Sequence, residues 1–393
     1  SQMASAFPDP VWLPAGPVRS LYSKVKQSDA SIAFRSIDFW NDEALAFQET
    51  PSQTTVKLPN SAKYLFVQPA GIDTTLAIPL RISRSLEQLK IGRDAFRRVS
   101  SPASFPTLIF DQDKRMILIP AGLHQFQQDL IVPADYTLHL AAGAKVALDN
   151  KSAIISYGAV YAQGSADKPV ELFTKDGSGQ GLQVIQAARA SLLNQVIFRG
   201  LRNLHKENWM LTGAVTFYES AVQLEACRFL DNQSEDALNL VRSEFQMNHC
   251  LVQNTTSDGL DADFCKGTIS ESQFIHTTND GVDFSGSIIT LNNVLMQNCG
   301  DKGLSAGEAS DITLLTAEIK NCNIGIASKD QSTVHGRRLI IEDCAQALVA
   351  FQKKPEYGPA MLLVEGLEAE NNDRLYQIAP GSRLQIDDEL IFE

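Results

Sequence analysis

The sequence predicts an all-β chain wound as a single-stranded parallel β-helix of about 22 residues per coil, and three observations predict it. From Asp236 to Ala345 related segments recur every 22 residues without a gap. They open at Asp236 (DALNLVRS), Asp258 (DGLDADFC), Asp280 (DGVDFSGS), Lys302 (KGLSAGEA) and Ile324 (IGIASKDQ), and Ala214 and Gln346 extend the ladder by one unit at each end. A period of this size means one supersecondary unit per repeat, stacked so that neighbours bury each other's apolar side chains.

The second observation is that like positions stack. The second position reads Val215, Ala237, Gly259, Gly281, Gly303, Gly325, Ala347, and the third reads Thr216, Leu238, Leu260, Val282, Leu304, Ile326, Leu348. Small residues relieve a corner, and a β-branched or Leu column one step later points inward. The third observation is negative. Helical solenoids have repeats of about 33 to 47 residues with a 3.6-residue period, and leucine-rich repeats carry an L-x-x-L-x-L pattern; neither pattern is present.

Residues 1–108 lack the period, hold several prolines and contain an amphipathic candidate helix, Ser85–Val99. They are expected to form an N-terminal mixed, capping subdomain, with the β-helix over 109–393. From Asp129, short β-rich strokes punctuated by Pro133, Gly143, Gly158 and Gly164 read as the first coils. Two segments break the rhythm, Arg202–Leu211 (RNLHKENWML) and Phe351–Pro359 (FQKKPEYGP). Insertions in solenoids map to loops, often on the binding face. Late in each unit Asn232, Asn254, His276, Asn298 and, one residue displaced, Asn321 suggest a ladder of hydrogen-bonded amides at a turn. Cys299, Cys322 and Cys344 form a similar column of small inward fillers.

The 393 residues are 44% apolar and 20% charged, enough for one large elongated domain plus a smaller one. No stretch approaches the roughly 18 apolar residues of a membrane span. The opening SQMASAFPDP has no basic or apolar leader region and reads as a mature or engineered start. Six cysteines without a CxxC pair argue against zinc and against a disulfide framework, although stacked rungs leave room for one bridge. A net charge of −12 argues against nucleic acid as a partner, and requires Lys and Arg to line any cleft that takes a polyanionic glycan.

The runs SDGLDAD, NDGVDFSGS, GDKGLSAGE, GIASKDQS and QKKPEYGP resemble secreted bacterial right-handed parallel β-helix proteins, and the length and layout are similar to biofilm-matrix polysaccharide lyases of the RbmB type. The resemblance covers roughly residues 120–370 and implies a right-handed coil. It further implies an extracellular carbohydrate-active enzyme with a polysaccharide substrate; a monomer with no membrane partner is expected.

Strand alternation directs the site search. If the third position points in, the fourth and sixth point out. The fourth column reads Phe217, Asn239, Asp261, Asp283, Ser305, Ala327, and the sixth reads Glu219, Val241, Asp263, Ser285, Gly307, Lys329. Asp258 and Asp280 stand at the preceding corner, where Asp-Gly is ordinary turn chemistry. Asp261, Asp263 and Asp283 are different, because strand interiors disfavour Asp and like charges on adjoining rungs repel. Asp261, Asp283 and Lys302 are the candidate catalytic residues. Asp263, Arg242, Lys266, Lys329, Asn239, Glu308 and His276 are candidates for substrate binding, and Asp261, Asp263 and Asp283 are candidate ligands of a Ca²⁺ ion. Lys302 takes the place of a corner Asp and reads either as a base or as a neutralising charge. Lys353, Lys354 and Tyr357 read as a terminal loop capping the stack.

Three activities fit these residues, and the first is the expected one, which makes the chain a polysaccharide lyase with hydrolysis as the runner-up. The first is β-elimination at a uronic-acid-type sugar, which needs a base and a cationic partner for the acid group. The second is inverting hydrolysis by two carboxyl groups. The third is glycan binding without catalysis.

Overall fold

The structure, a computed structural model, describes residues 100–392 apart from 207–208, and before them the strands Val11–Pro14, Ser20–Gln27, Ala30–Ala33, Ile37–Asp38, Gln53–Val56, Tyr64–Pro69 and Leu76–Pro79. The chain divides into two compact units, Ser1–Ala95 and Phe96–Glu393. The described strands of the first unit pair antiparallel throughout. The candidate helix Ser85–Val99 lies outside the described residues.

The second unit is a right-handed parallel β-solenoid of roughly 22 residues per turn. Each regular turn contributes three short strands, such as Asp258–Asp263, Lys266–Ser270 and Gln273–Thr277. The first of these joins an eleven-stranded wall, and the other two join ladders running side by side within a 23-stranded assembly. Pairing is in register: Leu238 with Leu260, Leu260 with Val282, Val282 with Leu304, Leu304 with Ile326. These five side chains have no exposed surface and form part of one core that runs the length of the coil. A wall of this kind is stable only as a stack, since each strand buries its inward side chains against the rungs above and below it.

The first regular unit differs from the expected register. Val215, not Thr216, pairs with Leu238, and Thr216 pairs with Asn239. One extra residue precedes Asp236, so the 22-residue count slips there, and the change of parity turns Phe217 inward, where it is fully buried. Tyr218 accordingly replaces Glu219 beside Val241.

The corners show a second regularity. Most turns bend through one residue with left-handed backbone: Arg242, Phe264 and Gly286 occupy successive rungs of one such column, with φ near 47°, 54° and 59°. The next rung uses two, Glu308 at 54° and Ala309 at 60°, and the pairing that follows jumps to 23 residues, Ile288 with Asp311. It returns to 22 at Lys302 with Ile324. Behind these corners runs a buried ladder in which each backbone N–H donates to the side chain on the next rung. Its members are Ser220, Ser243, Cys265, Ser287, Ser310 and Ser332.

The amide ladder also shifts by one. Asp231, Asn254, His276, Asn298 and Asn321 all have left-handed backbone, which Asn and Asp tolerate better than other side chains. Their side chains bond along the axis, Asn254 Nδ2 to Asp231 Oδ1 at 3.0 Å and Asn298 Nδ2 to His276 Nε2 at 2.8 Å. Asn232, expected in this column, is instead fully buried, where its Oδ1 accepts the Leu201 N–H at 2.9 Å. The six cysteines are free and buried. No described helix is long and apolar enough to cross a membrane.

Candidate functional site

The outward face of the eleven-stranded wall carries the acidic residues. In-register pairing aligns Thr216, Asn239, Asp261, Asp283, Ser305, Ala327 and Val349 in one column. Although this column faces out, Thr216 and Asn239 are buried at one end and Ser305, Ala327 and Val349 at the other. Asp261 and Asp283 are half-buried, so the column opens at the two carboxylates.

The two segments that broke the repeat flank the column from Thr216 to Val349. Before it, Trp209 and Leu211 pack outside the coil on Ala153, Ile155 and Leu204, and Lys206 Nζ reaches Asp129 Oδ1 at 2.8 Å. After it, buried Asp330 accepts the N–H groups of Lys353 and Lys354 at 2.6 Å each, which anchors the loop that follows Phe351. From that loop Lys354 Nζ pairs with Glu308 Oε1.

Asp261 sits among Asp236, Asp263 and Asp283 and accepts Asn239 Nδ2 at 3.2 Å on Oδ2. Burial, reinforced by those three charges, pushes its carboxyl up to about 9, so at neutral pH it keeps its proton. Asp263, on the next column, is also raised by burial and by Asp283 and Glu308. Asp283 Oδ1 is buried without a hydrogen bond and faces Lys329 Nζ at 3.8 Å. Lys329 itself is only 8% exposed, and its stem lies across the space that Gly307 leaves by lacking a side chain.

The corner column behaves as turn chemistry with a charge at one end. Asp258 Oδ1 accepts the N–H of Asp280 at 2.8 Å, and Asp280 Oδ1 accepts the N–H of Lys302 at 3.0 Å. Asp236 and Asp280 are both raised to about 7, each by burial first. Lys302 Nζ lies 3.2 Å from Asp280 Oδ1 and also pairs with Asp301. Burial works against its charge, but Asp280 and Asp301 outweigh it and hold the ammonium above its ordinary range. Lys302 is thus ion-paired with Asp280 and Asp301, and a base at this position would need to shed that proton near neutral pH.

Among the described residues no three His, Cys, Asp or Glu side chains are grouped to hold a metal ion. Asp261, Asp263 and Asp283, expected as a calcium set, are not grouped in this way.

Asp261, Asp263, Asp283, Asn239, Lys329 and Glu308 thus share one wall and its rim. Arg242 stands at the same rim, its Nη1 3.6 Å from Glu219 and 3.3 Å from the Tyr218 hydroxyl. Lys266 does not join them: it lines a groove of about 420 Å³ on the adjoining wall, with Gln223, Gln246, Thr268 and Thr290. His276 belongs to the amide ladder at a different corner. The sequence reading passed over Phe264, which follows Asp263 and is 56% exposed. The signal was a lone aromatic in a corner column otherwise polar or Gly.

The model of a right handed beta helix region matches residues 240–374. The fold is a right-handed parallel β-helix. Among solved structures, the Agl-KA catalytic domain is similar at 11% identity and TM-score 0.43, covering 97% of this chain and 85% of that one. The periplasmic alginate epimerase AlgG is similar at 10% identity and TM-score 0.37, covering 75% and 82%. An alginate lyase from Paenibacillus sp. str. FPU-7 is similar at 12% identity and TM-score 0.35, covering 66% and 97%. No curated protein matches the chain.

Proposed function

We propose that the opening at Asp261 and Asp283 binds and cleaves an extracellular polysaccharide, with hydrolysis of a glycosidic bond as the chemistry. The observation that carries this reading is a pair of carboxyl groups on adjoining rungs, one of which, Asp261, is held protonated up to about 9. Glycoside cleavage needs a proton donor for the leaving oxygen and a second carboxylate for the sugar carbon or the attacking water. Asp261 is the donor. Asp283 is the second group, with Lys329 supplying positive charge beside it.

Adjoining parallel strands lie about 4.8 Å apart, near the ~5–5.5 Å carboxyl spacing of retaining enzymes and short of the ~6.5–9.5 Å of inverting ones. Retention of the anomeric configuration is therefore expected, with Asp283 as nucleophile. An inverted product would shift the second role to Asp263, two residues along the strand from Asp261.

Elimination is the second reading, favoured by one observation. Lys329 is a nearly buried cation beside the acidic pair, placed to neutralise a sugar acid. Incubation with a panel of neutral and acidic exopolysaccharides separates the readings. New reducing ends without ultraviolet absorbance mark hydrolysis, whereas an absorbing unsaturated sugar marks elimination. Neither signal across the panel would discard both and leave a glycan-binding wall.

A further inference from the structure

Phe264 combines features that ordinary packing does not account for. It follows Asp263 directly, and its backbone is left-handed with φ near 54°, a conformation that bulky side chains rarely adopt. Its ring is 56% exposed and covers none of the core. On the next rung stands Gly286, where an added Cβ would come within 2.6 Å of the ring, so the ring lies against a site that only Gly leaves open. On the rung before, the Arg242 guanidinium carbon is 5.9 Å from the ring centroid. The ring is therefore held by a bare backbone on one rung and a cation on the other, at the lip of the acidic opening. Its left-handed backbone is the regular corner conformation of this column, shared with Arg242 and Gly286; what sets Phe264 apart is a large apolar ring left facing solvent with its orientation fixed by neighbours.

We infer that Phe264 is a stacking platform for one pyranose ring of the glycan, in the subsite beside Asp263. The apolar face of a pyranose, with its axial C–H groups, matches an aromatic face in size and polarity. Burying both surfaces rewards a flat, oriented contact without needing a charged partner. The role is one of positioning: the ring holds a sugar unit next to the one at Asp261 and Asp283. This inference rests on the glycan-cleaving reading above.

Two measurements test it, using hexamers of galacturonate, mannuronate and glucose, with the polysaccharides cleaved in the panel as further probes. The first is fluorescence of Phe264→Trp compared with the unaltered protein. A saturable change in the added indole signal on titration with a cleaved glycan is expected, and its absence overturns the platform. The second is kinetic. Phe264→Ala is expected to raise KM about tenfold, equivalent to about 1.4 kcal/mol, with Phe264→Trp restoring it and thermal unfolding unchanged, since the ring supports no core. Turnover by the unaltered protein together with unchanged KM in Phe264→Ala sinks this inference while leaving the cleavage reading intact. No turnover and no binding of any probe sinks both.

Discussion

On the wall that carries Gln223, Gln246, Thr268 and Thr290, the first three of these neutral side chains stand exposed, and the charges beside them, Glu244 and Lys266, are of opposite sign on adjoining rungs. On the eleven-stranded wall of the same turns, Asp261 and Asp283 lie half-buried on adjoining rungs, with Asp263 two residues along the strand. The backbone is the same parallel ladder in both. The first wall satisfies local rules, since polar groups meet water and like charges do not stack. The second violates them, because burial and mutual repulsion both disfavour its carboxylates. A coil that already obtains its cohesion from the inward columns has no structural need for that arrangement. Its presence on one wall is what the proposed site rests on.

The contrast can be broken most sharply at the carboxylates themselves. Asp261→Asn and Asp283→Asn are each expected to lower turnover of a cleaved glycan by about a thousandfold, while thermal unfolding stays the same or shifts upward. Full activity in both would make the two walls equivalent. On the inward side of the same strand, Leu260→Ala should lower stability to denaturant by about 2–5 kcal/mol, yet leave activity per folded molecule. The inverse pattern would mean that the wall's two faces do not divide the labour.

A smaller effect concerns pH. Asp261 is raised from 3.8 to about 9, and Asp236 and Asp280 from 3.8 to about 7, so the folded state binds protons that the unfolded chain has already released. Their contribution is complete below about pH 4 and is lost as pH rises toward these folded values. Urea midpoints should therefore fall between pH 5 and 9, and Asp261→Asn should flatten the upper part of that decline. An unchanged slope would place the Asp261 proton elsewhere. Smallest of all, Thr268→Ala on the solvated wall is expected to alter neither turnover nor stability beyond about 0.5 kcal/mol.

The coil was legible because its side chains obey a strict spacing. Gly259, Gly281 and Gly303 at one step and Leu260, Val282 and Leu304 at the next give the turn and the inward column directly. The column of Asp261 and Asp283 followed from alternation alone. Legibility stopped where a residue is added or lost. The slip at Thr216 moved Phe217 inward, and Asn232 exchanged places with Asp231, because residue type by itself does not show where a corner absorbs an extra position. Partners were hidden for another reason. That Lys302 is engaged by Asp280 and Asp301, or that Lys329 leans across Gly307 toward Asp283, depends on rotamers reaching between rungs. That Lys266 and His276 lie away from the wall depends on which of the three strands of a turn each falls in, and the repeat does not mark those boundaries.

The doubled left-handed corner at Glu308 and Ala309 has a consequence for how such a chain can vary in length. Within a strand, one inserted residue would turn every later side chain inside out. At this seam the surplus is spent on a wider bend, and the strand that follows resumes with its apolar side inward, as Ile312 and Leu314 do. Corners of this type are natural splice points, where peptides can be grafted or sugar-contacting loops exchanged while the spine beneath them stays wound.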